Sequence, residues 1–286
     1  MPNPAADRLF TWAGGKSKLL PHYRPLLPQD VYARQLHEPF AGGAALFNAL
    51  ASESLIDASL TDINDEIIGL YKLVRDNPEY LISQMHSLEA QWLARDREAR
   101  KSLYYDLRAA YWQMQEGPEA TALLYFLMKT GFNGIWQTCK ASKGRYGTPV
   151  GLATQKTSVF NPDVVKSWSV KLNGVYLQTC GYAQAPIADN GFVFCDPPYR
   201  DSFTSYGTAF DDSEQLRLIA WCRHIHESKN AVVWLSNRDA GDGFFEAHAQ
   251  DAELHRFPVT YTAGRRKKTE GGFEAKPATE ILLIWR

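Results

Sequence analysis

Asp196, Pro197, Pro198 and Tyr199 follow directly on an apolar run, Phe192–Cys195. Two consecutive prolines fix φ and remove two backbone donors, so the carbonyls of this turn join no helix ladder and can accept bonds from a ligand. Asp196 adds a second acceptor and Tyr199 a flat stacking surface. Such a set suits an exocyclic amine on a planar base. A proline-rich surface turn is the plain alternative, but the carboxyl end of a strand is where open α/β sheets bind ligands.

Two further segments carry candidate residues. Glu38, Pro39, Phe40, Ala41, Gly42 and Gly43 end one candidate strand and open a helix, and glycines there let the backbone approach a ligand while the helix N-terminus faces it. Asp62, nineteen residues beyond Gly43, ends the next strand, where a nucleotide-binding sheet places the carboxylate that holds ribose hydroxyls. Asn64 and Asp65 are better placed to cap the helix that follows, which leaves Asp62 to a ligand. Trp12, Ala13, Gly14, Gly15, Lys16 and Ser17 end as a phosphate-binding loop does, but that loop needs Gly where Phe10 stands. Read alone, this segment is a surface turn with a solvated lysine.

The elements that must position these residues are short β-rich runs: Gln35–Phe40, Ser59–Asp62, Val175–Cys180, Phe192–Cys195, Ala231–Ser236 and Glu280–Trp285. Several are continuously apolar, the pattern of a parallel sheet covered on both faces. Asp211–Glu227 reads as a helix with Asp211 or Asp212 as N-cap and a stripe through Leu216, Ile219 and Ala220. Between the second and third strands the rhythm breaks. Asp65 to about Phe126 is helical, and Thr130–Pro162, rich in Gly, Ser, Thr and Asn, reads as loops or a hairpin. This is an inserted, folded unit.

The 286 residues allow one large domain or two modest ones, and 45% apolar, 13% aromatic and 22% charged composition excludes collagen-like, disordered and coiled-coil classes. Four cysteines without metal-ligand spacing, and no apolar leader or span, point to a cytoplasmic protein with free thiols and no membrane association. The net charge of -1 advertises no nucleic acid, yet it is an average. Asp62–Glu119 holds 11 acids against 7 Lys and Arg, whereas Ala120–Pro162 holds no acid against 5.

WAGGK, EPFAGGAALF, the Asp62-Ile63-Asn64 triplet, GFNG, DPPY, the Leu235–Asn237 triplet and a final TEILLIW occur in that order. Over nearly its whole length the chain resembles the Dam-like, D12 or alpha-class, DNA adenine-N6 methyltransferases. The resemblance implies an α/β fold: a Rossmann-like S-adenosylmethionine-dependent methyltransferase sheet (1–70 and 163–286) with an inserted, mostly helical target-recognition domain (71–162). It implies that Trp12, Ala13, Gly14 and Lys16, with Lys16 near the carboxylate end, hold S-adenosylmethionine together with Glu38, Pro39, Phe40, Gly42, Gly43 and Asp196. Asp62 would take the ribose hydroxyls and Ile63 the cofactor adenine. Asp196, Pro197, Pro198 and Tyr199 would be the catalytic set that grips the target adenine, S-adenosylhomocysteine the product, and no metal is called for. Two departures stand out: Ala44 replaces the usual last glycine of the first loop, and Gly181 stands where an acid often precedes an aromatic, here Tyr182.

The implied partner is double-stranded DNA in a bacterial or phage-infected cell, and the oligomeric state, a monomer included, stays open. Lys129, Lys140, Lys143 and Arg145, interleaved with Asn133, Trp136, Gln137 and Tyr146, suit phosphate neutralisation plus base readout. A second basic run, Arg265, Arg266, Lys267 and Lys268, reads as a flexible loop able to clamp a backbone. Many GATC-reading relatives carry arginine where Gln137 stands, and glutamine pairs with adenine, so a site other than GATC, or relaxed specificity, is expected. RNA as substrate, and a non-catalytic DNA-binding relative, are the competing readings; a protein-amide methylase would carry Asn in place of Asp196.

Overall fold

The structure is a computed structural model that describes residues 7–12, 14–151, 158–200, 210–261, 267–269, 272–274 and 276–286. Its strands are β1 (Leu36–Glu38), β2 (Ala58–Asp62), β3 (Tyr176–Thr179), β4 (Phe192–Cys195), β5 (Val232–Asp239), β6 (Glu253–Tyr261), β7 (Lys267–Thr269), β8 (Gly272–Glu274) and β9 (Lys276–Trp285). Its α-helices are α1 (Leu20–Tyr23), α2 (Ala45–Ala51), α3 (Asp65–Asp76), α4 (Pro78–Leu93), α5 (Arg97–Gln113), α6 (Pro118–Thr130), α7 (Pro162–Lys171), α8 (Asp212–Lys229) and α9 (Phe244–His248).

Seven strands form one sheet in the order β3-β2-β1-β4-β5-β9-β6. From β3 to β5 neighbouring strands run parallel; β9 alone is reversed, pairing antiparallel with both β5 and β6. The apolar runs separate by alternation into two cores. Phe192, Phe194, Val232, Trp234, Leu282 and Ile284 face one, while Val193, Cys195, Val233, Leu235, Ile281 and Leu283 face the other. That is the period-2 geometry of a strand buried on both sides.

Several of the helices start where a side chain satisfies a first-turn amide. Asn64 Oδ1 accepts from Ile67 N in α3, Asn77 from Tyr80 N in α4, Asp96 from Ala99 N in α5, and Asp211 from Glu214 N in α8. The buried stripe of α8 is Leu218, Ile219, Cys222 and Ile225, with Gln215. Leu216 and Ala220, expected in that stripe, are exposed: one face of a helix repeats at three and four residues, and these two positions fall on its outer side. The insertion is helical through α4, α5 and α6 as expected. Leu81, Met85, Tyr104, Leu124 and Phe126 share one core with Leu36 and Leu60 of the sheet.

Residues 131–150 are irregular, tied by a single bridge between Gly131 and Val150 rather than a hairpin. They are sewn to the helices by hydrogen bonds: Tyr104 Oη and Arg108 Nη1 donate to Thr148 O, and Trp112 Nε1 to Tyr146 O. The second basic run is not a loop throughout, since Lys267 and Lys268 lie in β7, which pairs antiparallel with β8. Arg265 and Arg266 lie outside the described residues, as does Ala13. Among the described residues no helix is long and apolar enough to cross a membrane.

Candidate active site and nucleic-acid interface

The carboxyl ends of β1, β2, β4 and β5 converge on one edge of the sheet. Because β9 runs the other way, its early residues arrive at that same edge, with Glu280 paired opposite Arg238. Here lies the buried Lys16, only 1% exposed. Its Nζ donates to Asp196 Oδ1 at 2.5 Å and to Gly14 O at 3.0 Å, lies 3.9 Å from Glu280 Oε2, and sits 4.7 Å from the Tyr199 ring centroid. The turn segment that read as a surface lysine is therefore part of the site; two carboxylates offset the cost of burying its ammonium.

Asp196 Oδ1 also accepts from Ser236 Oγ at 2.8 Å. Tyr199 Oη donates to Glu280 Oε2 at 2.7 Å. The turn between them is locked from below by Asn237, fully buried on β5. Its Oδ1 accepts from Arg200 N at 3.1 Å and Arg238 N at 2.9 Å, and its Nδ2 donates to Gln215 Oε1 at 3.0 Å. Gln215 Nε2 in turn donates to Pro198 O at 3.0 Å. The Pro198 carbonyl is thus engaged within the protein, which directs the expectation of a ligand acceptor to Asp196 and the Pro197 carbonyl. Ser236 and Asn237 were visible as a motif without a role; for Gln215 and Glu280 the available signal was a polar residue within a buried stripe or an apolar strand.

The second cluster is built on β1 and β2. Asp62 Oδ2 accepts from Gly42 N and Oδ1 from Asn64 N, both at 2.9 Å. A carboxylate oxygen carries two lone pairs, so both oxygens retain capacity for ribose hydroxyls. Beside it Ile63 is 66% exposed, an apolar surface suited to covering by a planar base. Phe40 stacks on Tyr182 with centroids 5.4 Å apart. Gly42 has φ +44, and a Cβ there would meet Trp12 Nε1 at 2.6 Å, so Trp12 packs on this turn and the position requires glycine. Ala44 also takes the left-handed conformation, φ 44 and ψ 51. The missing glycine is thus a real departure, at a cost of about 1–2 kcal/mol. Carboxylate, exposed apolar faces and a glycine turn at a helix start together fit a nucleoside.

Glu38 is buried with its Oε1 accepting from Phe47 N at 2.6 Å. Burial pushes its carboxyl up to about 8, with the Asp196 carboxylate adding to the rise. Burial pushes the neighbouring His37 down to about 4. A raised acid is most stabilising in its protonated form, so the Glu38 contribution is complete below its ordinary 4.5 and is lost as pH climbs to about 8. The His37 contribution runs oppositely and is lost as pH falls from 6.5 towards 4. Between pH 6.5 and 8 Glu38 acts without opposition from His37 and contributes a loss of about 2 kcal/mol. Thermal unfolding across that window should therefore be flatter for Glu38→Gln than for the parent; equal slopes would place the titration elsewhere.

The expected nucleic-acid residues separate into two groups. Asn133, Gln137, Lys140 and Lys143 are exposed. Gln137 is held by its backbone, which donates from N to Thr148 Oγ1 at 3.2 Å and accepts at its O from Gly147 N at 2.7 Å. Trp136 and Tyr146 are buried, 4% and 1% exposed, and Trp136 packs between Trp12 and Tyr146 at 5.6 and 5.2 Å. They shape the segment from inside. Lys129 is half-buried on α6 with Nζ 3.4 Å from Leu9 O. Arg145 is engaged within the protein, by Glu66 and the carbonyls of Tyr111 and Met114. For Lys267 and Lys268 only the backbone is described.

The family profile described as D12 class N6 adenine-specific DNA methyltransferase matches residues 12–262. The chain is 31% identical, over 96% of its length and 94% of the relative's, to the Type II methyltransferase M1.LlaDCHI of Lactococcus lactis subsp. cremoris. It is 27% identical over 80% of each chain to the DNA adenine methylase of Vibrio cholerae serotype O1. Over 96% of this chain and 90% of the relative it is 26% identical to the Retron Ec67 DNA adenine methylase of Escherichia coli.

Proposed function

The chain belongs to the D12 class N6 adenine-specific DNA methyltransferases, and from that premise we propose that it methylates N6 of an adenine flipped out of duplex DNA, using S-adenosylmethionine and releasing S-adenosylhomocysteine. When bound, the donor supplies a sulfonium-activated methyl group. The observation that carries the reading is the Asp196 carboxylate: Lys16 and Ser236 both donate to Oδ1, which leaves Oδ2 for an incoming amine beside the Pro197 carbonyl. N6 is a poor nucleophile because its lone pair is conjugated into the ring. Bonds from its two hydrogens to Asp196 Oδ2 and Pro197 O draw the nitrogen towards tetrahedral geometry, stabilise the positive charge that develops in attack, and give the one proton that the methylated nitrogen sheds a path out through Asp196 Oδ2. Tyr199, fixed by Glu280, stacks on the extruded base and offsets part of an unstacking cost of a few kcal/mol.

In this reading Trp12, Gly14, Lys16, Glu38, Pro39, Phe40, Gly42, Gly43, Asp62 and Ile63 form the cofactor site, Glu38 and Gly42 by shaping it. The catalytic unit is 1–70 with 163–286, and 71–162 recognises DNA through the exposed Asn133, Gln137, Lys140 and Lys143. The backbone bonds and exposed side chain of Gln137 support adenine readout at that position. The test is expression in a host whose own DNA lacks N6-methyladenine, followed by nucleoside analysis and mapping of plasmid DNA. N6-methyladenine at a sequence other than GATC, or at several, is the expected result. Modification confined to GATC sinks the Gln137 reading, and methylated RNA with unmodified DNA sinks the choice of substrate.

A further inference from the structure

Glu66 lies on the first turn of α3, directly behind Asp62 and Asn64, and is the meeting point of three elements. Its Oε1 accepts from the Tyr111 hydroxyl near the end of α5 and from Arg145 Nε at 3.0 Å, and its Oε2 is 3.3 Å from Tyr146 N. Arg145 completes a closed figure: its Nη1 donates to Tyr111 O at 2.6 Å and Met114 O at 2.9 Å, and its guanidinium lies 3.9 Å from the Tyr111 ring centroid. Both side chains are largely covered, 22% exposed for Arg145 and 12% for Glu66. Burial, and then the Glu66 carboxylate, push the Tyr111 phenol up, so it remains a donor.

From this figure the chain of bonds runs into the reading segment. Tyr146 N is held by Glu66, and the next residue, Gly147, donates to Gln137 O. An arginine spent on one carboxylate, two carbonyls and a ring has its fork geometry used internally. A lysine cannot reproduce that fork. The register of Gln137 therefore depends on a clasp whose acidic half belongs to the helix that follows the cofactor strand.

We propose that Glu66 and Arg145 are positioning residues for sequence recognition: they clasp the reading segment to α3 and so set where Gln137 meets the base edge, rather than contacting DNA. The proposal rests on the reading of residues 131–150 as the recognition segment. A phosphate contact by Arg145 is the competing account, and the two differ in salt dependence, because each phosphate neutralised adds about 0.9 to the slope of log K against log salt.

The experiment measures binding to duplexes with and without the mapped site over a range of KCl, for the parent, Arg145→Ala, Arg145→Lys, Glu66→Gln and the Glu66→Gln/Arg145→Ala pair. We expect Arg145→Ala to reduce discrimination about tenfold or more with an unchanged salt slope. Arg145→Lys should behave like Arg145→Ala, Glu66→Gln should reproduce the loss, and the pair should be no worse than one change alone. A slope that falls by about 1 with discrimination kept, rescue by lysine, or no change in any variant overturns the proposal. If Arg145→Ala does not fold, Glu66→Gln and Arg145→Lys still decide it. A parent chain that forms no N6-methyladenine in DNA would sink the functional reading itself, whereas a methylating parent with unaltered variants sinks only the clasp.

Discussion

Asp196→Asn is expected to lower kcat by about three orders of magnitude while changing the affinity for S-adenosylmethionine by less than about fivefold. The orientation of the new amide is set in advance. Lys16 and Ser236 both donate to Oδ1, so the amide oxygen must stay there and Nδ2 takes the place of Oδ2. The substrate amine, a double donor, then meets a donor where it needs an acceptor. Loss of one preorganised polar partner of a developing charge costs about 10²–10³ in rate, and here the lost partner is charged. The Lys16 ammonium also loses its nearest anion, leaving Glu280 at 3.9 Å, so some loss of thermal stability accompanies the change. Single-turnover methylation and calorimetric titration of the cofactor separate the two effects. Activity within tenfold of the parent would remove Asp196 from its role, and equal loss of rate and cofactor affinity would move it to the cofactor site.

Local chemistry made much of this legible beforehand. The continuous apolar run Phe192–Cys195 pointed to a strand covered on both faces, and its alternation between two cores is what such a strand requires. Asp62 was separable from Asn64 by its position at a strand end, and Asn64 does cap α3. What was not legible depends on long-range placement. Nothing local marks β9 as reversed or as lying between β5 and β6, yet that reversal alone brings Glu280 to Lys16 and Tyr199. β6 was overlooked because Pro258 interrupts its pattern; at the edge of the sheet that proline removes no interior ladder bond and is tolerated. A lysine beside two glycines reads as solvated, and only the convergence of two distant carboxylates makes its burial favourable. Composition likewise could not tell an arginine aimed at phosphate from one closed on Glu66, because both demand the same charge in the same basic stretch.

Asn237→Ala, though it touches no substrate in the proposed reaction, is expected to cost about 3–5 kcal/mol of stability and to lower kcat by about 100-fold or more. Asn237 is fully buried, and its amide links the Arg200 end of the Asp196–Tyr199 turn to Gln215, which in turn holds Pro198 O. Truncation leaves the Arg200 and Arg238 amides without their Oδ1 acceptor and Gln215 Oε1 without its donor, at about 1–3 kcal/mol for each group that finds no water. The consequence for rate follows one bond further out. Gln215 Nε2 holds Pro198 O, so a loosened Gln215 frees the turn that spaces Asp196 from Tyr199, and displacement by about 1 Å is enough for 10²-fold. Asn237→Asp sharpens the test. It keeps the acceptor for both backbone amides but confronts Gln215 Oε1 with a second acceptor. If the Gln215 amide turns to donate to the new carboxylate, Pro198 O loses its bond. Asn237→Asp should therefore recover more of the stability than of the rate. Chemical denaturation set beside single-turnover methylation reads both quantities, and proportional recovery of the two would show that Asn237 acts through stability alone.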